Sequence, residues 1–220
     1  MLIIMLGAPA SGKGSVAGIL SEHYNIPAIS SGDIFRKHVS ENTEIGKEIN
    51  SYISKGNLVP DEIVLKMLKE RLEEPDVQNG AILDGFIRTV KQAEIFDEML
   101  KQSNDKIDIV IDLEAPEEEI LDRIVTRRIC TNNDCKAVYN LVLHPPKKDG
   151  ICDNCGSPLE QREDDTLEKA KIRLEVYHKE TEPLIEYYSK TGVLYKTVLS
   201  SKANRLKDVV SKEVIEYLSK

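Results

Sequence analysis

Short, unbroken apolar runs alternate along the chain with longer amphipathic stretches. Residues 2–6 (Leu-Ile-Ile-Met-Leu) form the first run, which stops at Gly7. A run with no polar alternation suits a strand covered on both faces of a parallel sheet. Similar runs recur at residues 26–29, 81–83, 107–113 and 193–198. Between them, helical patterns are expected over residues 12–24, 60–72, 89–100, 116–128, 167–190 and 206–218. Pro60 stands at a tolerated first-turn position, and Glu117, Glu118 and Glu119 lie near a positive helix end. Strands alternating with helices predict an α/β fold with a doubly wound, parallel five-stranded sheet flanked by helices.

Residues 126–165 break this rhythm: they hold no strong helical or strand pattern, but they contain Cys130, Cys135, Cys152, Cys155 and the pair Pro145-Pro146. A structureless loop of that length is at odds with a compact domain, whereas a small insert stapled by a metal is not. Cys130-x4-Cys135 and Cys152-x2-Cys155 offer two close thiolate pairs, which suit tetrahedral zinc. Asp134 is an alternative to Cys135, although cysteine is the softer ligand. Four thiolates fill the coordination shell, so the expected zinc is structural.

The 220 residues suffice for one sizeable α/β core with small inserts. Composition is ordinary for a globular protein, with 40% hydrophobic and 31% charged residues. The net charge of −8 argues against an extended nucleic-acid-binding face. The insert itself carries six Lys/Arg against seven Asp/Glu, which disfavours a phosphate-gripping zinc ribbon. The N-terminus lacks the basic region and long apolar core of a signal peptide, and no run approaches membrane-spanning length. A cytoplasmic protein without a membrane partner is expected, so its cysteines are reduced rather than disulfide-bonded.

Gly7-Ala8-Pro9-Ala10-Ser11-Gly12-Lys13 has the spacing G-x-x-x-x-G-K, after a strand and before a helix. Such a loop turns backbone amides and a helix N-terminus toward phosphates, and Lys13 adds a full charge. The residue after the lysine is Gly14, with the hydroxyl displaced to Ser15. That pattern resembles the phosphate loop of the adenylate kinase family. Further blocks resemble the same family in the same order: Ser31-Gly32-Asp33-Ile34-Phe35-Arg36, Gly56-Asn57-Leu58-Val59-Pro60-Asp61, Leu83-Asp84-Gly85-Phe86-Ile87-Arg88-Thr89, Asp122-Arg123 with Arg127-Arg128, Arg162-Glu163-Asp164-Asp165 and Arg173-Leu174. Residues 126–165, with Tyr139 and the two prolines, resemble the zinc-containing lid of the family's long forms.

The resemblance implies a fold of the P-loop NTPase type. A core would span residues 1–29, 60–125 and 166–220, with a helical monophosphate-binding insert at 30–59 and a zinc-stapled lid at 126–165. It implies reversible, Mg²⁺-dependent transfer of the terminal phosphate of ATP to AMP, giving two ADP. Lys13, Asp84, Arg88, Arg127, Arg162 and Arg173 would act at the reacting groups, Asp84 by holding magnesium waters or, alternatively, as a helix N-cap. ATP would contact Gly7, Ala8, Pro9, Ala10, Ser11, Gly12, Lys13, Gly14, Ser15, Arg123, Arg127, Tyr139 and Lys202. AMP would contact Ser31, Arg36, Asn57, Leu58, Val59, Gly85, Arg88, Gln92, Arg162 and Arg173. Arginine suits the task because its planar fork grips phosphate through two bonds and stays charged. The attacking oxygen is already anionic, so no catalytic base is needed. Two departures from the family pattern bear on geometry. Ala10 replaces a loop glycine, which predicts an ordinary backbone conformation there, and Ile87 replaces a proline, which predicts a looser Arg88. A monomer is expected.

Overall fold

The computed structural model describes residues 1–132 and 134–219. Five parallel strands form the central sheet: β1 (Leu2–Leu6), β2 (Ala28–Ser30), β3 (Ala81–Asp84), β4 (Ile109–Glu114) and β8 (Leu194–Val198), in the order β2-β3-β1-β4-β8. Ile3, Ile4 and Met5 are at most 1% exposed, which accounts for the absence of alternation in the first run. Their side chains alternate between two cores. Ile4 and Leu6 join Leu83, Phe86, Phe96 and Val110 on one face, while Ile3 and Met5 join Val16, Leu20, Ile111 and Val214 on the other.

Helices α1 (Lys13–Tyr24) and α9 (Lys207–Leu218) cover the second face. Helices α4 (Asp61–Leu72), α5 (Val90–Ser103) and α8 (Pro183–Ser189) supply the first. The crossovers place β1 between β3 and β4, where the direction of winding reverses. Ligands in such sheets bind outside the carboxyl ends of the strands at that point, and Gly7 follows β1 there.

Two excursions leave this frame. The first consists of α2 (Ser31–Ser40) and α3 (Glu44–Ile53). Each has its own hydroxyl cap: Ser30 accepts from the Asp33 amide and Thr43 from the Gly46 amide. The second follows α6 (Glu117–Thr126). It is a three-stranded antiparallel sheet of β5 (Arg127–Cys130), β6 (Val138–Asn140) and β7 (Leu159–Glu160), in the order β6-β5-β7. Its strands are short, and its core is little more than Cys130, Tyr139 and Cys152. A helix reaching Arg128 does not form, because Arg127 turns to the extended backbone and pairs with Asn140.

The expected single helix over residues 167–190 is broken. Helix α7 (Leu167–Val176) runs into one turn of π-helix (Tyr177–Thr181) before α8. Pro183 has no N–H to donate and its ring crowds the carbonyl four residues back. The hydrogen bonding slips by one residue, and the Glu182 amide donates to Tyr177 O at 2.9 Å.

Asp112 on β4 is fully buried, and neither of its oxygens has a hydrogen-bond partner among the described residues. Burial, reinforced by Glu114, pushes its carboxyl from 3.8 up to about 6. The folded protein therefore keeps a proton that the unfolded chain gives up at lower pH. Stability falls as pH rises from 3.8 through about 6. Asp112→Asn should abolish that decline and stabilise the protein at pH 7 by about 1–2 kcal/mol. Urea titrations at pH 4 and pH 7 check this, and an unchanged pH slope in the variant refutes it.

Candidate functional site

Residues Gly7–Gly12 form a tight loop between β1 and the start of α1. Gly12 has φ 109° and packs so closely that a Cβ there would stand 2.8 Å from Leu199 Cδ1. Lys13 folds back over the loop and donates to Gly7 O and Ala8 O, both at 2.8 Å. Ser11 is fully buried, and its hydroxyl has no partner among the described residues. Ser15 is exposed in the first turn of α1. Ala10 overturns the expectation of an ordinary backbone, because its φ is +57°. The loop needs a left-handed residue at that point whatever side chain it carries. Alanine accepts the conformation at a cost of roughly 1–2 kcal/mol relative to glycine.

Basic side chains converge on this loop from every excursion of the chain. Arg36 comes from α2, Arg88 from the turn after β3, Arg127 from β5, Arg162 from the segment after β7 and Arg173 from α7. Their mutual fields are visible in their acidities. Burial pushes Lys13 down to about 8, with Asp84 opposing and Arg88, Arg173 and Arg127 adding to the drop. Burial, with Arg36 and Arg127 nearby, likewise takes Arg162 down to about 9. Arg88 and Arg173 are lowered by burial too. Among the described residues, the carboxylates that act most on these groups are Asp33, Asp84, Asp164 and Asp165, against six cations. A pocket with this excess is unfavourable when empty and is complementary to a polyanion.

Four of the five arginines are held by neighbouring groups. Arg36 pairs with Asp33 at 2.5 Å. Arg88 donates from Nε to Gly85 O, and its backbone amide donates to Gln92 Oε1, both at 2.7 Å. The Gln92 amide also donates to Asp61 Oδ1 at 2.8 Å. Gly85 has φ +79°, and a Cβ there would stand 2.8 Å from the Arg88 guanidinium and 3.0 Å from Ser31 Oγ. Ile87, which stands where the family pattern has proline, is 2% exposed and packs the turn against the main core. Arg127 grips Asp165 through two bonds, one of them 2.7 Å from Nε to Oδ2. Arg173 donates to Asp164 at 3.0 Å and lies 3.6 Å from Asp165. Arg162 Nε is buried without a partner among the described residues.

Sequence reasoning did not single out Asp61, Asp164 or Asp165 as orienting groups. A signal existed for Asp165, a charged residue directly before the Thr166 cap of α7 and close to two arginines. Asp84 ends β3 with its carboxylate near Gly14. It does not serve as a cap of α5, because Thr89 fills that place.

The remaining expected contacts fall in different places. Ser31 is fully buried and donates to Gly85 O at 2.7 Å, and Gln92 is 1% exposed. Asn57, Leu58 and Val59 lie on the connection between α3 and α4. Arg123 donates to Ser11 O of the phosphate loop at 3.2 Å. Lys202 is exposed and bonded to Glu118 at 2.9 Å. Tyr139 sits in the small sheet rather than beside the loop, with its hydroxyl 3.5 Å from Cys152 Sγ and 2.7 Å from the Asp153 amide that donates to it.

The four cysteine sulfurs all lie within 4.8 Å of one another. The nearest contacts cross between the sequence pairs: Cys130 to Cys155 at 3.4 Å and Cys135 to Cys152 at 3.6 Å. These are far beyond a disulfide bond and close to the roughly 3.8 Å between sulfurs around a tetrahedral zinc. Across the first spacing, Asn132 O accepts from the Cys135 amide at 3.1 Å. The donor set fits a closed, all-thiolate metal site.

A parallel sheet with a phosphate loop at its switch point, ringed by half-buried cations from both excursions and from the core, defines a phosphotransferase of the P-loop class. Comparison with known proteins takes this one step further. Residues 5–193 match the family model for adenylate kinase. An adenylate kinase of Archaeoglobus fulgidus is 53% identical over 195 residues, covering 89% of each chain. One from Streptomyces avermitilis is 51% identical over 194 residues, covering 88% of each. One from Streptomyces coelicolor is 47% identical over 220 residues, covering 100% of this chain and 99% of that one. The chain belongs to the adenylate kinase family and is a nucleoside monophosphate kinase.

Proposed function

We propose that the chain transfers the terminal phosphate of ATP to AMP, giving two ADP, with ATP on the Gly7–Ser15 loop and AMP between Arg36 and Arg88. The observation that carries this reading is the convergence of Lys13, Arg36, Arg88, Arg127, Arg162 and Arg173 on one loop with too few carboxylates to neutralise them. Two polyanions must be brought into line, and their repulsion is the main barrier that a protein can remove. Lys13 and the loop amides hold the donor phosphates. Arg88 fixes the acceptor phosphate from a turn locked by Gly85 and Gln92. Arg127, Arg162 and Arg173 face the group in transit, with Arg127 held by Asp165 and Arg173 by Asp164.

Magnesium, bound with ATP, would neutralise phosphate charge, and Asp84 would hold its waters. Zinc would fill the four-cysteine site as a structural ion. In this reading residues 30–59 and 126–165 are inserts that close over AMP and ATP, while 1–29, 60–125 and 166–220 are the core. Closure excludes water, which would otherwise accept the phosphate. Gln92 and Ser31 are the groups nearest to setting base choice. In this reading the chain acts on nucleotides as a cytoplasmic monomer; its net charge of −8 speaks against an extended nucleic-acid-binding face, and none of the described helices is long and apolar enough to cross a membrane.

The test is a coupled assay with ATP and each of AMP, UMP, CMP and GMP. Rapid ADP formation with AMP, and little with the others, is expected. Preference for a pyrimidine acceptor would move the chain to another nucleotide, and activity with none would overturn the reading.

A further inference from the structure

Glu119, one turn before Arg123 on α6, is 5% exposed. Its carboxylate accepts from Ser200 Oγ at 2.5 Å, from the Ser201 amide and hydroxyl at 2.9 Å each, and from the Lys202 amide at 3.4 Å. Arg123 adds a charged donor at 2.6 Å. Burial alone would raise the pKa of this group, but these bonds outweigh it and hold the carboxyl down to about 2.

The bonds run to the turn after β8 and to Arg123 on the same helix, and through Arg123 to the phosphate loop. The Ser200–Arg205 turn follows β8 and is closed by two backbone bonds of 3.0 and 2.8 Å. Arg123 reaches onward to Ser11 O at 3.2 Å and Leu199 O at 3.3 Å. Leu199 in turn presses against Gly12. A single carboxylate thus ties α6 and the turn after β8 to the phosphate loop. A buried ion of this kind adds little net stability, because desolvation offsets most of the attraction. Its main effect is to fix geometry.

We propose that Glu119 is a positioning residue of the donor-nucleotide site: it holds the Arg123 guanidinium and the Ser200–Arg205 turn as one rigid wall beside the phosphate loop, against which the base and ribose of a nucleoside triphosphate rest. The proposal rests on the reading that the triphosphate occupies that loop. A guanidinium stacks on a flat ring only when its plane is fixed, and Glu119 fixes it through the terminal nitrogen. The acceptor side is held by a different set of residues, centred on Arg88, Gln92 and Asp61, so a defect at Glu119 is felt by the donor alone.

The test compares Glu119→Leu and Glu119→Gln with the unmodified enzyme, varying ATP and AMP separately and recording melting temperature. Glu119→Leu is expected to raise KM for ATP about tenfold, as loss of one charged contact does, while KM for AMP stays within about twofold. Glu119→Gln keeps the shape and one acceptor oxygen and should recover part of the loss. Should Glu119→Leu fail to fold, Ser201→Ala removes one bond with little disturbance and should raise KM for ATP about threefold. An equal change in both KM values, or an unchanged KM for ATP in a folded Glu119→Leu, overturns the proposal. Calorimetric titration with ATP alone separates the two questions: an unmodified protein that binds ATP but phosphorylates no acceptor sinks the kinase reading, while the variants' weaker ATP binding still supports the role of Glu119.

Discussion

Replacing Arg88 with alanine should lower kcat/KM for the monophosphate by roughly 10²–10³-fold and leave the protein at least as stable as before. The two halves of this result have one cause. Arg88 is a buried cation facing Arg173 and Arg36, and its charged form is disfavoured by burial. In the empty protein the side chain is a burden relieved only in part by Asp84. With phosphate bound, it becomes a fixed, dry donor for charge that the reaction must tolerate. Removing it therefore relieves repulsion in the free enzyme and withdraws stabilisation only from the complex. Melting curves without ligand should stay within a few degrees, and the rise in melting temperature on adding AMP should shrink or vanish. Arg88→Lys should recover only part of the activity, because an ammonium lacks the fork. Near-normal turnover of Arg88→Ala would remove Arg88 from the site.

Stripping metal from the four cysteines should have an effect as large, but on a different property. The sheet of β5, β6 and β7 has too small an apolar core to stand alone, with Cys130, Tyr139 and Cys152 as its buried residues. A structural zinc contributes on the order of 10 kcal/mol to such a module, so a strong chelator or Cys152→Ser should unfold it locally. Arg127 leads the first strand of that sheet and Arg162 follows the last. Phosphotransfer should therefore collapse while the parallel sheet persists. Amide hydrogen exchange reads the distinction: protection lost over residues 127–160 and kept over Leu2–Leu6 and Ile109–Glu114. Uniform loss of protection would show that the sulfur cluster supports the whole chain, and no loss would show that the module needs no metal.

Much of this was legible in the sequence because burial on both faces leaves an uninterrupted apolar signature, as at Leu2–Leu6. The phosphate loop was legible because close backbone approach restricts residue type. The cysteines were legible because soft ligands cluster for few other reasons. What could not be read has equally physical grounds. The break at Tyr177–Thr181 depends on how one proline ring meets a carbonyl four residues away. The left-handed Ala10 is imposed by the loop as a whole against the residue's own preference. Helices α2 and α3 were legible in principle, because their apolar positions recur with clear helical spacing behind the Ser30 and Thr43 caps, and the pattern reading passed over them. The orienting carboxylates Asp61, Glu119, Asp164 and Asp165 act on partners as far as 83 positions away, and no local pattern announces such a pairing.

The Arg127–Asp165 pair stands where the chain leaves the main body and where it comes back. That clasp makes the intervening segment a loop with a sealed neck. Arg162 lies just inside that neck, so the clasp keeps both ends of the small sheet, and the arginine each end carries, beside the main body.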